Sequence, residues 1–275
     1  MNTERPMPPR LSSSQVGKIQ SCPRAYAFEY LMKIPPSNKD AEYFIFGRAW
    51  HQVIQGDAAP DLVSLAGMDE SKRDYRRDLS GLLEATRVAL AAEGVEWAEN
   101  SVQFPELSIK DENITIRIDG IIFKDGKWFL AEFKAWADRS EEGKETLRDE
   151  ICRDLQLGSY LSAIDQIADQ LFVDPADFGG VIYCVAWKPK AKTNPKYSAT
   201  VLTLAPDELG GALVEWKHGY QMGRLLQEMV GHQFYHRNDP FDVASNKNSC
   251  RGKYDLCPYF AECHKRKSSM GCGGA

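Results

Sequence analysis

The dipeptide Asp125-Gly126 sits between two strand-like runs, residues 114–124 and 127–136, and it constrains this chain more than any other feature. Asp-Gly between alternating apolar residues favours a two-residue hairpin loop with a primed turn. Such a loop pairs Lys124 with Lys127 and Phe123 with Trp128, and counting outward brings Asp119 opposite Glu132. Directly opposed residues have Cβ atoms roughly 5 Å apart, so two like charges there repel unless a cation lies between them. Alternation along each strand adds Arg117 to the face of Asp119 and Lys134 to the face of Glu132. The count therefore predicts one face bearing Arg117, Asp119, Glu132 and Lys134.

The rest of the chain is organised around that hairpin. The segment 11–32 has N-cap candidates at Ser12, Ser13 and Ser14, a helical pattern interrupted at Cys22-Pro23, and a stop at Pro35-Pro36. A short helix is predicted over 47–54 and a long amphipathic one over 70–93, followed by strands near 101–109, 114–124 and 127–136. A helix over 147–170 has an apolar stripe of Leu157, Leu161, Ile164 and Ala168. Strands over 180–188 and 197–204 and a final helix over 206–236 complete the pattern. Helix, three strands, helix, strand predicts an α/β fold whose mixed sheet has helices on its faces. With 275 residues, 43% of them hydrophobic, the chain is large enough for a substantial core.

Its net charge of −5 does not suggest a general polyanion binder, but local basic patches remain compatible with a phosphate backbone, so net charge is neutral evidence. No apolar stretch approaches the roughly 18 residues of a membrane span, and residues 1–10 lack the apolar centre of a signal peptide. A cytoplasmic location without membrane attachment is expected. Seven cysteines and no export signal point to thiols that are reduced, buried or metal-bound rather than to a disulfide framework.

Two carboxylates and a backbone carbonyl, that of Phe133, suit a hard divalent ion such as Mg²⁺ or Mn²⁺ and leave coordination positions for water and a phosphate oxygen. Lys134 beside them would orient a nucleophile or stabilise phosphate charge, so the chemistry indicated is phosphodiester hydrolysis. The plainer alternative is a solvated strand face with surface ion pairs.

Asp119 with Glu132-Phe133-Lys134 resembles the signature of the PD-(D/E)xK nuclease superfamily. Residues 11–26, Gly47-Arg48-Ala49-Trp50-His51 and Gln156-Leu157-Gly158-Ser159-Tyr160 are similar, in order, to the opening helix, Gly-x-x-x-His and Gln-x-x-x-Tyr motifs of its RecB/AddB-like branch. That branch includes the CRISPR-associated four-cysteine exonucleases. The resemblance implies a restriction-endonuclease-like αβββαβ core with an N-terminal helical segment and a C-terminal cysteine-rich tail. It implies one nuclease domain over 1–275, with a helical segment at 11–60, a core at 70–205, and a helix and tail at 206–275. Its implied metal ligands are His51, Asp119, Glu132 and Phe133. Its implied catalytic set is Asp119, Glu132, Lys134, Gln156 and Tyr160, with Gln156 and Tyr160 positioning DNA or the attacking water. Glu106 is a further candidate on the preceding strand.

Cys250, Cys257 and Cys263 gather near the C-terminus and Cys22 stands near the other end. The resemblance implies that these four thiolates hold a 4Fe–4S cluster joining the two ends of the chain. Six residues separate Cys250 from Cys257 where the branch often has two, which leaves Cys272 as an alternative ligand. Zinc is the rival occupant, although the usual close cysteine pairs are missing. Cys152 and Cys184 read as plain thiols in a helix and an apolar strand.

Lys188, Lys190, Lys192 and Lys196 cluster in one loop, and the tail interleaves Arg251, Lys253, Lys265, Arg266 and Lys267 with Tyr254, Tyr259 and Phe260. Cations with aromatics suit single-stranded DNA. The expected activity is a DNA exonuclease in recombination, repair, or phage or defence DNA processing, served by a partner helicase or a recombination or integration protein. The alternative from another class is a noncatalytic DNA-binding or scaffold module of the same fold.

Overall fold

The structure is a computed structural model that describes residues 10–36, 42–95, 101–102, 107–110 and 114–237, with 101–102, 107–110 and 229–237 described through their backbone alone. It divides into two compact units. Helix α9 (Gly210–Arg237) belongs to both, with the division between Glu215 and Trp216.

The larger unit is built on the mixed sheet. Its strands are β1 (Ser101–Val102), β4 (Gly120–Lys124), β5 (Lys127–Ala137), β6 (Phe178–Lys188) and β7 (Ser198–Leu204), hydrogen-bonded in that order. β5 and β6 run parallel at the centre, while the other pairs are antiparallel. The remaining strands, β2 (Leu107–Lys110) and β3 (Thr115–Ile118), form a separate antiparallel pair. The hairpin register is the one counted from the turn, from Lys124 with Lys127 to Gly120 with Ala131. Asp125 and Gly126 both have positive φ, 51° and 77°, as a type I′ turn requires.

Two strand boundaries differ from the sequence reading. The run 114–124 is not one strand: it bends at Asp119, where β3 leaves β2 and β4 takes up β1 and β5. The strand expected at 101–109 is likewise divided into β1 and β2 in two different sheets, and Glu106 lies outside the described residues.

Alternation along β5 sorts its side chains onto two faces. Phe129, Ala131 and Phe133, with Ile182, Cys184 and Ala186 of β6, form a core with α3 (Glu42–Ile54) and α4 (Tyr75–Ala92). α3 contributes Phe46, Ala49, Trp50 and Val53, an i, i+3, i+4, i+7 stripe. It begins earlier than the expected 47–54. α4 is capped by the Asp74 side chain, which accepts from the Arg77 N–H. The opposite face of β5 carries Glu132, Lys134 and Trp136. The helix expected at 147–170 is a series of short helices, α6 (Leu147–Ile151), α7 (Leu155–Ser162) and α8 (Ile164–Leu171), preceded by α5 (Glu141–Glu145). Asp154 restarts the chain as the N-cap of α7, accepting from the Gln156 N–H.

In the smaller unit, α1 (Ser13–Ser21) opens with a capping box between Ser12 and Gln15 and is followed at Pro23 by α2 (Pro23–Tyr26) and a π-helical turn, Ala27–Leu31. Gly219 and Gly223 of α9 let that helix approach closely: a Cβ at Gly219 would lie 2.5 Å from Val16, and one at Gly223 would lie 2.9 Å from Ile19 and Leu11. Gln227 donates to the Tyr26 hydroxyl at 2.8 Å. Cys22 is buried with Ala25 and Phe28. Cys250, Cys257, Cys263 and Cys272, and the basic tail, lie outside the described residues. Among the described residues no helix is long and apolar enough to cross a membrane.

Candidate active site

Every predicted catalytic residue falls in the larger unit, and β5 carries the centre of the site. Glu132 is fully buried in the sheet yet points away from the apolar core of α3 and α4. Its carboxylate is in close contact with Lys134 Nζ and with the Tyr160 hydroxyl, and it accepts from Gln156 Nε2 at 2.9 Å. Gln156 also accepts from Lys134 Nζ at 2.9 Å and donates to the Tyr160 oxygen at 2.7 Å. The i, i+4 spacing of Gln156 and Tyr160 on α7 places both over Glu132, so the residues expected to position DNA hold the acid and the lysine in place.

Tyr160 has one proton to donate and two acceptors nearby. The hydroxyl donates to the Glu132 carboxylate and shares that proton with the Arg117 carbonyl, 2.9 Å away. Burial, opposed by Lys134 and reinforced by the charge of Asp119, pushes the Glu132 carboxyl up to about 7. Burial also works against the charged form of Lys134, but the nearby Glu132 and Asp119 carboxylates outweigh it and raise the ammonium above its ordinary value. Lys134 keeps 23% of its side chain exposed.

Asp119 reaches the site from the bend between β3 and β4. Its Oδ2 accepts the Phe133 N–H at 3.0 Å, and its Oδ1 lies 3.2 Å from His51 Nδ1. Burial would raise the Asp119 carboxyl, but His51, Lys134 and the Phe133 N–H together hold it below the usual carboxylate range. The N–H and C=O of a strand residue point to the same edge, so the Phe133 carbonyl faces the side on which Asp119 sits. His51 flanks the buried stripe of α3 and is partly exposed.

Arg117 corrects the predicted four-residue face. The bend at Asp119 breaks the alternation, leaving the Arg117 side chain exposed while its carbonyl meets Tyr160. Sequence reasoning also missed Asp154 and Tyr183. Asp154 accepts from the Tyr183 hydroxyl at 3.4 Å, and its charge helps to raise Lys134. A short acidic residue just before a helical pattern is an N-cap signal, and that cue was present in Asp154-Leu155-Gln156.

Two carboxylates, an imidazole and a strand carbonyl are a donor set suited to a hard divalent ion. The mutual repulsion of Asp119 and Glu132 is the force a cation would relieve. Among the described residues no three His, Cys, Asp or Glu side chains converge into a ready-made metal cage, because the Glu132 oxygens are turned toward Lys134, Gln156 and Tyr160.

The other predicted residues are placed as follows. In the lysine loop, Lys190, Lys192 and Lys196 are exposed, whereas Lys188 is half-buried over the Phe46 ring, and burial lowers its pKa. Arg73 and Arg77 donate to the Pro189 and Lys192 carbonyls and fasten the loop to the start of α4. Arg73 in turn pairs with the fully buried Asp78, which accepts from Tyr197 at 2.9 Å. Cys184 is a core thiol whose pKa burial pushes up to about 12, and Cys152 caps the end of α6.

A mixed sheet flanked by helices, with an acid at a strand bend opposite Glu-x-Lys on the next strand, defines a nuclease-like class. The sequence matches the PD-(D/E)XK nuclease superfamily over residues 10–264, and the chain belongs to that superfamily. Its α/β architecture is accordingly restriction-endonuclease-like. Members of the superfamily are nucleases that typically use Mg²⁺ or Mn²⁺. No curated protein matches the chain.

Proposed function

We propose that this protein is a metal-dependent deoxyribonuclease of the RecB/AddB-like kind, acting as an exonuclease at DNA ends, with Asp119, Glu132 and Lys134 as its catalytic centre. The observation that carries this reading is the joint placement of Lys134, Gln156 and Tyr160 on Glu132, beside the Asp119–His51 pair. Asp119, Glu132, His51 and the Phe133 carbonyl would hold the divalent ion. When bound, that ion supplies Lewis-acid stabilisation of charge at a phosphate oxygen.

The protein's own groups set the geometry. Lys134 presents a charged, partly exposed ammonium beside the acids, positioned to orient the attacking water and to offset phosphate charge. Gln156 ties that ammonium to Glu132, and Tyr160 ties Glu132 to the Arg117 carbonyl, so neither acid nor lysine is free to wander from the scissile bond. His51 fixes one oxygen of Asp119 and the Phe133 N–H fixes the other.

We assign Cys22, Cys250, Cys257 and Cys263 to a 4Fe–4S cluster, with Cys272 as the substitute for Cys250. Cys22 suits a ligand position: it is a free thiol, buried at the break between α1 and α2, where Pro23 turns the chain. The biological setting proposed is recombination, repair, or phage or defence DNA processing, with a helicase or integration protein as partner.

The test is cleavage of end-labelled single- and double-stranded DNA by anaerobically purified full-length protein with Mn²⁺, Mg²⁺ or chelator, alongside Glu132→Ala. Metal-dependent shortening from one end, absent from the variant, is the expected result. Folded protein that binds DNA but leaves it intact under every condition would overturn the nuclease reading in favour of a binding module. Internal cuts would overturn the exonuclease mode alone.

A further inference from the structure

The face of β5 that carries Glu132 and Lys134 continues outward to Trp136. Alternate residues on a strand are about 6.6 Å apart, so Trp136 lies roughly one nucleotide's reach beyond Lys134 and two beyond Glu132. Its indole ring belongs to an aromatic group on that face, 6.4 Å from the Tyr183 ring and 6.1 Å from the Trp187 ring. Tyr183 and Trp187 are fully buried, whereas Trp136 remains partly exposed. Trp187 is pinned from behind by its indole N–H, which donates to Thr200 at 2.8 Å. Arg139 places its guanidinium 4.9 Å from the centre of the Trp136 ring and 5.9 Å from that of Trp187, within the range of a cation–π contact. Its Nη1 pairs with Glu150 at 2.7 Å, which holds the guanidinium in position. The phosphodiester chemistry proposed for Glu132 and Lys134 makes no use of this group.

Resting on that nuclease reading, we propose that Trp136 and Arg139 form a stacking platform for an unpaired nucleobase next to the scissile phosphate. A rigid aromatic ring on a buried aromatic floor offers a flat, partly dry surface at little entropic cost, and a guanidinium plane stacks on bases as readily as on indole. Arg139, already paired with Glu150, supplies a fixed guanidinium plane at the platform's edge. A base held flat there cannot remain in a duplex, so the platform selects single-stranded or frayed ends. It accepts any base, because stacking reads the π-face and not the hydrogen-bonding edge.

The experiment uses full-length protein carrying Glu132→Gln, so that binding is read without cleavage. Fluorescein-labelled oligothymidylate is titrated by anisotropy at several salt concentrations, with a single abasic site stepped along the strand in parallel samples. Adding Trp136→Ala is expected to weaken binding by about 5- to 150-fold, the range of one lost base–aromatic stack, with no change in the salt slope. Trp136→Phe should recover most of that loss. One abasic position should reproduce the loss in the parent and have no effect in Trp136→Ala.

Unchanged affinity in folded Trp136→Ala overturns the proposal, as does a parent protein insensitive to abasic sites at every position. Where Trp136→Ala does not fold, Trp136→Leu, which fills the site without a π-face, takes its place in both assays. A parent that binds no DNA would instead sink the nuclease reading itself, and the platform with it.

Discussion

Glu132 is a carboxyl placed where no protein designed only for stability would put one: fully buried, beside another acid, and pushed up to about 7. Replacing it with Gln keeps the shape and removes the cost of burying a charge, which outweighs the attraction of Lys134. Glu132→Gln should therefore abolish cleavage while metal-free protein melts at the same or a higher temperature, as read by scanning calorimetry in chelator. Lys134→Ala should likewise lose cleavage by at least about 100-fold, the scale of one lost electrostatic stabiliser. Its DNA affinity, measured by anisotropy, should change far less. Tyr160→Phe removes the hydroxyl that donates to the buried Glu132 carboxylate, a loss of about 1–3 kcal/mol, measurable by urea denaturation. The acids and the lysine were legible from the sequence because a two-residue turn sets their register by counting. The supporting contacts were not, since Arg117 contributes a carbonyl that any residue would supply, and Asp154 acts through a helix cap and a tyrosine brought in from β6.

At the scale of elements, local signals were reliable and long-range pairings were not. The hairpin, α4 and the strands β6 and β7 follow from turn residues and periodicity. The bend at Asp119 does not, because β3 and β4 have different partners that the chain meets only after it folds. A continuous apolar stripe likewise hid the breaks between α6, α7 and α8, where the capping carboxylate of Asp154 outweighs the helical pattern. The turn makes a clear prediction: Gly126→Val forces a β-branched residue into positive φ, at a cost of about 1–3 kcal/mol, seen as a lower urea midpoint. In the smaller unit, Gly219→Leu would push α9 away from Val16 and Gln20. Overpacking of this kind costs about 1–3 kcal/mol and should lower the melting temperature.

For the molecule as a whole, the sheet and its flanking helices were foreseeable from the order of elements, whereas the cysteine assignment depends on which ends of the chain meet. If Cys22 is a cluster ligand, anaerobically purified Cys22→Ser should lose its iron and sulfide, while Cys184→Ser should keep both. Cys184 lies in the core of the larger unit. Chelator should silence cleavage reversibly, with activity restored by Mn²⁺ or Mg²⁺. The type I′ turn at Asp125-Gly126 also governs which sequence changes a descendant of this chain can survive. It acts as the zero mark of a ruler: the face of β5 that carries Glu132 and Lys134 is set by the number of residues from the turn, since a shift of one exchanges inside for outside. Conservative replacements in the loop leave the count intact, but one inserted glycine would aim Glu132 and Lys134 into the apolar layer beneath α3 and α4. Lineages related to this protein should accordingly vary freely in the composition of their outer strand positions while keeping this hairpin's length unchanged.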